Sequence, residues 1–271
     1  MRMSDRTRDL VFDIQAGRVP GMRIMRGLGE RESIGTTSTG EDLTRMNELS
    51  ATPAALDSHI VVPYPGDAGV PMSIISESAQ DGPAGTGVDE VTLEVIDPDG
   101  SERTIVVAMN GQTTVPIDGG ANIRFVNDMY STALGSGASY GGVAAGHIRV
   151  YETADATMVF NMIAAGGNKS LVPHRLIPAG FDLYLKEWIC AEGNNKRLTM
   201  RLRADCNNDA PPVRQSGVFL FKSVVYCNQS TSGAMPLAYC IPELSVVKVS
   251  AWASAINGEA SVHWWGILVK K

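Results

Sequence analysis

The one nucleophile-like signature in this chain is Gly137-Ala138-Ser139-Tyr140-Gly141, a formal G-x-S-x-G. A nucleophile elbow needs a strand running into the serine and a helix leaving it. Here small and polar residues precede it, and Gly142 to Ala145 carry no helical pattern. The surrounding Gly135–Gly142 stretch is glycine-rich but lacks the Lys-Ser/Thr of a phosphate loop. His59, His147, His174 and His263 are isolated, with no H-x-x-x-H or H-E-x-x-H spacing. Each reads as a strand or turn residue whose ring finds a partner. The acidic pairs Asp97/Asp99 and Asp89/Glu90 have the composition of a glycosidase or Ca²⁺ site. Pro98 and Gly100 make the first of them a turn, and Asp155, near Glu152, reads as a hairpin position.

Cys190, Cys206, Cys227 and Cys240 all lie in the last third of the chain, with no C-x-x-C pair. Two disulfides are arithmetically allowed, and free buried thiols are the simpler reading for a chain of this size. Trp252 and the adjacent Trp264-Trp265 have the makings of a sugar platform. Neighbouring residues on a strand point to opposite faces, so one Trp is expected inside and one outside. An outward Trp on a sheet suits a subunit contact better than a ligand platform. Asn168-Lys169-Ser170 and Asn228-Gln229-Ser230 match glycosylation sequons, with nothing to indicate a secretory route. No catalytic, cofactor-binding or metal-binding residue, and no cofactor, is therefore predicted.

Among the elements that would carry these residues, the organising stretch is Val88 to Gly111. Val91, Leu93 and Val95 alternate with Thr92 and Glu94, the period of a half-buried strand. Asp97-Pro98-Asp99-Gly100 supplies a turn, and Thr104 to Val107 returns as a β-branched run. Gly is abundant at 28 residues, and charged residues make up 19% of the chain. Charge is unevenly spread. Residues 1–50 carry eight Arg and eight acids; residues 51–165 carry three Arg, no Lys and fourteen acids, a net of −11. Residues 166–271 carry twelve basic residues against seven acids, a net of +5. The sign change near Gly166-Gly167 marks a candidate boundary. An acidic middle argues against nucleic acid as a partner. The charged start has no signal-peptide character, and no stretch is apolar enough to span a bilayer, so no membrane partner is expected.

The expected architecture is all-β: two β-sandwich or jelly-roll-like domains preceded by an extended N-terminal arm. Residues 1–56 form the arm, with one or two short strands, Met22–Met25 among them, and a helical turn near Asp42–Leu49; 57–166 form the acidic domain and 167–271 the second domain. Val11, Phe12, Ile14, Met22, Ile24 and Met25 are too apolar for a solvated leader, so the arm is expected to order on a neighbour. Deleting residues 1–50 should then leave a folded β protein. Candidate strands are 58–62, 70–77, 89–96, 104–109, 113–117, 123–129, 146–152 and 158–162, with a long loop at 131–145. The second domain offers 170–176, 182–191, 197–204, 213–226, 237–241, 245–253 and 259–269.

Several turn signatures recur in a familiar order. Gly17-Arg18-Val19-Pro20-Gly21 and Arg26-Gly27-Leu28-Gly29 come first, then Gly85-Thr86-Gly87 and Asn110-Gly111-Gln112-Thr113-Thr114-Val115. Ile123-Arg124-Phe125-Val126, Gly167-Asn168-Lys169-Ser170 and Ile177-Pro178-Ala179-Gly180 follow. Over most of residues 15–271 this order resembles the virion structural proteins of tailed bacteriophages, especially marine and cyanophage-like ones. The cysteines and the Trp264-Trp265 pair are not part of the pattern.

The resemblance implies a capsid decoration or cement protein, a head fibre, or a neck or tail accessory protein. It implies assembly in a host bacterial cytoplasm into the virion. It carries no catalytic residues. The expected partners are copies of the chain itself, as a trimer, and other virion proteins such as the major capsid protein or neck and tail proteins. A receptor- or glycan-binding tail protein is the alternative. A glycan depolymerase would need a convergent acid pair, which the sequence does not display.

Overall fold

The computed structural model describes residues 10–34, 47–48, 66–138, 142–205, 219–227, 233–253 and 258–271. The strand expected at 58–62, most of the arm beyond residue 34, His59, Ser139, Cys206 and the second sequon lie outside these residues. Among the described residues the chain is all-β, with a short helix at 10–15 and a 3-10 turn at Ile117–Gly120.

The strands in chain order begin with β1 (Met22–Ile34), β2 (Asn47–Glu48), β3 (Val70–Ser76), β4 (Val88–Ile96), β5 (Glu102–Ala108), β6 (Val115–Pro116) and β7 (Asn122–Ile123). They continue with β8 (Phe125–Leu134), β9 (Ile148–Glu152), β10 (Asp155–Ile163), β11 (Arg175–Leu176), β12 (Phe181–Glu192) and β13 (Leu198–Asp205). β14 (Phe219–Cys227), β15 (Gly233–Ile241), β16 (Val246–Ala253) and β17 (Gly258–Lys270) complete the chain. They form small sheets in a four-bladed, propeller-like ring: β1-β17-β12-β15, β10-β9-β3-β6, β11-β16-β13-β14 and β5-β4-β8.

Apolar faces meet in pairs. β4 turns Val91, Leu93 and Val95 onto Met72, Ile74, Ile148 and Val150 of the β3/β9 sheet, giving one core. Leu183, Leu185, Trp188, Val262 and Trp264 meet Met200, Leu202, Val247, Val249 and Ala251 in the other. Alternation dictates both cores, because a period of two puts every second residue on one face. A small third cluster of Ile96, Phe125, Leu176 and Val246 joins the two lobes. The Asp97–Gly100 turn also crosses between them. Gly100 has φ +85°, and a Cβ there would lie 2.7 Å from Leu244 and 2.8 Å from Ala179. The Ala179 amide donates to the Gly100 carbonyl at 2.9 Å. The turn is thus a plug seated in the second lobe.

The strand expected at Met22–Met25 is present and longer, running to Ile34, but the arm reading around it needs correction. Met22–Ile34 does not belong to an arm that covers a neighbour: it is an edge strand of its own chain, antiparallel to β17 from Met22↔Val269 to Arg31↔Ala260. Its inward positions explain the docking. Met25 enters the core. Gly27 admits the Trp264 indole, since a Cβ there would lie 2.1 Å from Nε1, and Gly29 admits the Pro173 ring. The indole then donates to the Pro173 carbonyl at 2.9 Å. Deleting residues 1–50 would strip a paired strand and uncover Trp264, so it would not leave the fold intact. The expected loop at 131–145 is also shorter, because β8 runs on to Leu134.

Candidate functional site

A cleft of about 1080 Å³ opens between the lobes, along β1 on one side and β4, β5 and β8 on the other. Strand register builds its wall. Glu94 on β4 sits opposite Thr104 on β5 and Asp128 on β8, all on the face away from the lobe core. Beside them, the segment before β11 brings Lys169, and β11 itself brings Arg175. Lys169 Nζ lies 2.5 Å and Arg175 Nη2 3.3 Å from Asp128 Oδ2. Arg175 is buried and well anchored. It donates to the carbonyls of Val172 and His174 at 2.7 Å and to that of Arg26 at 2.9 Å. Asn127 bonds Leu176 twice, its amide donating at 2.9 Å and its carbonyl accepting at 2.7 Å. Arg23 closes one end through an ion pair with Glu102 and stacks 4.8 Å above the Phe181 ring.

The electrostatics divide the two facing carboxylates. Asp128 Oδ2 is taken by two cations, and its Oδ1 accepts the Met129 amide at 2.9 Å. Burial, and then the Asp128 charge, push the Glu94 carboxyl above its usual range, with Arg175 and Lys169 opposing. Burial, then Arg26, holds His263 below the ordinary imidazole range, against the pull of Glu187. Here Asp128 is committed to a latch between the lobes, which leaves Glu94 as the carboxylate open to a ligand. Among the described residues no cluster of His, Cys, Asp and Glu could hold a metal ion.

The residues singled out from the sequence are mostly not brought together. Of the histidines, only His263 lines the cleft. His147 Nδ1 accepts the Ala165 amide at 3.2 Å, as expected of a satisfied ring. His174 departs from that expectation: it is buried, and among the described residues neither ring nitrogen has a hydrogen-bond partner. Asp97 pairs with Arg103 at 2.6 Å and Asp99 accepts Ser101, both serving the turn. Asp155 accepts Thr157 in the same way. The glycine-rich stretch is a packing device. A Cβ on Gly135 would lie 2.3 Å from the Gly85 carbonyl oxygen, and the Gly137 amide donates to that oxygen. Trp264 points inward and is fully buried; Trp265 points outward and donates to Glu187 at 3.1 Å. Cys190 and Cys227 are free and buried, and Cys240 is free and exposed. Burial pushes the Cys190 thiol far up, which makes it inert.

Sequence reasoning missed Glu94, Asp128, Lys169 and Arg175. A signal existed for one of them, since Glu94 stands on the polar face of the most regular strand. No protein-family model and no curated protein sequence matches this chain.

Proposed function

We propose that the chain is a structural subunit of a tailed-bacteriophage particle, most simply a capsid decoration, cement or head-fibre protein. It works without catalysis, as two rigid sandwich-like lobes that make contact area. The observation that carries this reading is the outward face of the β1-β17-β12-β15 sheet. Register places Leu28, His263 and Ile189 in one row, Arg26, Trp265 and Glu187 in the next, and Ile24 and Tyr184 in a third, on either side of Ile267, which is itself buried. Leu28, Tyr184 and Ile189 are 39, 41 and 38% exposed. So much apolar surface on one sheet face is suited to cover by identical copies about a symmetry axis, with a trimer expected.

The test is quantitative mass spectrometry of purified particles together with sedimentation of the isolated chain. Hundreds of copies per particle and an oligomer in solution support the reading. Absence from particles and a monomer at every concentration overturn it. A neck or tail accessory protein that binds host glycan is the second reading, favoured by the open carboxylate Glu94 in a cleft. Binding on a glycan array that is lost in Glu94→Gln would move the assignment there.

A further inference from the structure

The backbone of β1 is only half used. The bond from the Lys270 amide to the Gly21 carbonyl, 2.8 Å, sets the phase of the ladder. Residues 23, 25, 27 and 29 therefore bond β17, while 22, 24, 26, 28 and 30 turn their amides and carbonyls to the free edge. Part of that edge is occupied. The Met22 amide donates to Val19 and the Glu30 amide to Leu171, both at 3.2 Å, and the Arg26 carbonyl accepts Arg175. The amides and carbonyls of Ile24 and Leu28, and the Arg26 amide, have no partner among the described residues. Ile24, Arg26 and Leu28 all line the cleft. Between Ile24 and Leu28 this edge carries no proline and no bulge, two of the guards against strand addition, and one charge, Arg26.

Donors and acceptors repeating every ~6.8 Å along a groove match one kind of ligand, another extended chain. We propose that residues 1–9 of a second copy add as a strand to the free edge of β1, within the cleft. Three observations favour this occupant. Nine extended residues span about 30 Å, enough to cover the ~20 Å of edge from Met22 to Leu28. Among the described residues the cleft's two charges with no ion-pair partner are Glu94 and Arg26. In an extended chain Arg6 and Arg8 share one face, while Asp5 and Asp9 share the other, one for each. The helix at 10–15, which follows directly, exposes Leu10 and Phe12, apolar surface that crossing to a neighbour would cover. The inference rests on the assembly reading above and names the contact that would make it.

The test uses the full chain. Proline at 24 and 28 removes only amides that the ladder does not use, so Ile24→Pro/Leu28→Pro should keep its circular dichroism and melt close to wild type. A labelled synthetic peptide of residues 1–9 should bind the wild-type chain and compete away its oligomers in sedimentation. Binding should fall at least tenfold in the double variant, and equally for a peptide N-methylated at alternate residues. Unchanged binding in either case overturns the proposal, as does an oligomer that excess peptide leaves intact. If the double variant does not fold, the methylated peptide decides. Particles that incorporate the folded double variant at normal copy number sink strand addition and leave the structural role standing. Strand addition in a protein absent from particles does the reverse.

Discussion

Asp81 and Glu94 belong to the same lobe and meet opposite treatment. Asp81 is fully buried, and its carboxylate is saturated. Oδ1 accepts the amides of Val88 and Ala145 at 2.9 Å. Oδ2 accepts the Gly146 amide at 3.0 Å and the Ser76 hydroxyl at 2.5 Å. Gly87 lacks the Cβ that would otherwise lie 2.0 Å from Oδ1. Three loops are tied to one side chain. At the seam between the lobes, buried and half-buried charges are left partly answered. Glu94 is pushed toward its neutral form, and His174 is packed with no ring partner beside Lys248 and Arg175. A fold completes its networks where a residue only has to hold. Incomplete compensation at a cleft is where a ligand or a moving part can contribute the rest.

The largest expected effect breaks the first half of that comparison. Asp81→Ala strands four donors, each costing about 1–3 kcal/mol if left unsatisfied, for a total of about 4 kcal/mol once water relaxes part of the site. Urea unfolding should show the midpoint collapse, with the loops at 81–87 and 144–146 becoming sensitive to protease first. A loss below about 1 kcal/mol would mean that Asp81 holds little. Gly27→Ala comes next, at about 3 kcal/mol, because the new methyl meets the Trp264 indole and the Pro173 carbonyl at 2.7 Å. A thermal melt reads it, and a native-like melting temperature would show that β1 is docked more loosely than its glycines imply.

Those two glycines also show where sequence reading stops. In the sequence Gly27 and Gly29 look like punctuation in a leader. In the fold they mark the close approach of a strand to Trp264 and Pro173, a meaning that depends on partners more than 140 residues away. The strand hairpin of β4 and β5, its Asp-Pro-Asp-Gly turn, and the in-and-out placement of Trp264 and Trp265 follow from period-two alternation and local turn chemistry, so they were legible. The cleft was not. Glu94 meets Asp128 only through the register of β4 on β8; Lys169 reaches Asp128 because its backbone bridges Tyr130 of β8, and Arg175 because β11 packs against the same strand. None of these pairings leaves a trace in local spacing.

His174 gives a third, smaller effect and tests the seam. Burial first, then the Lys248 and Arg175 charges, hold its imidazole far below the usual range. A depressed value means the unfolded chain binds this proton before the folded one does. Stability is therefore complete above the ordinary imidazole range. Below it, stability falls by about 1.4 kcal/mol per pH unit as pH drops. Melting temperature followed from pH 7.5 to 5.5 should show that slope, and His174→Gln should flatten it. A slope unchanged in the variant would place the acid sensitivity elsewhere and leave His174 as well compensated as Asp81.

The finest discrimination comes from Glu94→Gln, and here the sign matters more than the size. A carboxyl raised above its ordinary value binds its proton more readily in the folded chain than in the unfolded one. Its contribution is favourable at low pH. As pH rises through the folded value the charge appears, and that contribution is lost. Gln cannot ionise, so the variant should be the more stable protein at pH 7, by about 0.5 kcal/mol after solvent screening of a half-exposed group. The difference should vanish near pH 4. Stabilisation combined with weaker binding of the 1–9 peptide would mark Glu94 as a residue kept for contact at the expense of the isolated fold. A destabilised Glu94→Gln at pH 7 would instead mean that the carboxylate is already answered by Lys169 and Arg175, and the contrast with Asp81 would dissolve into one of degree.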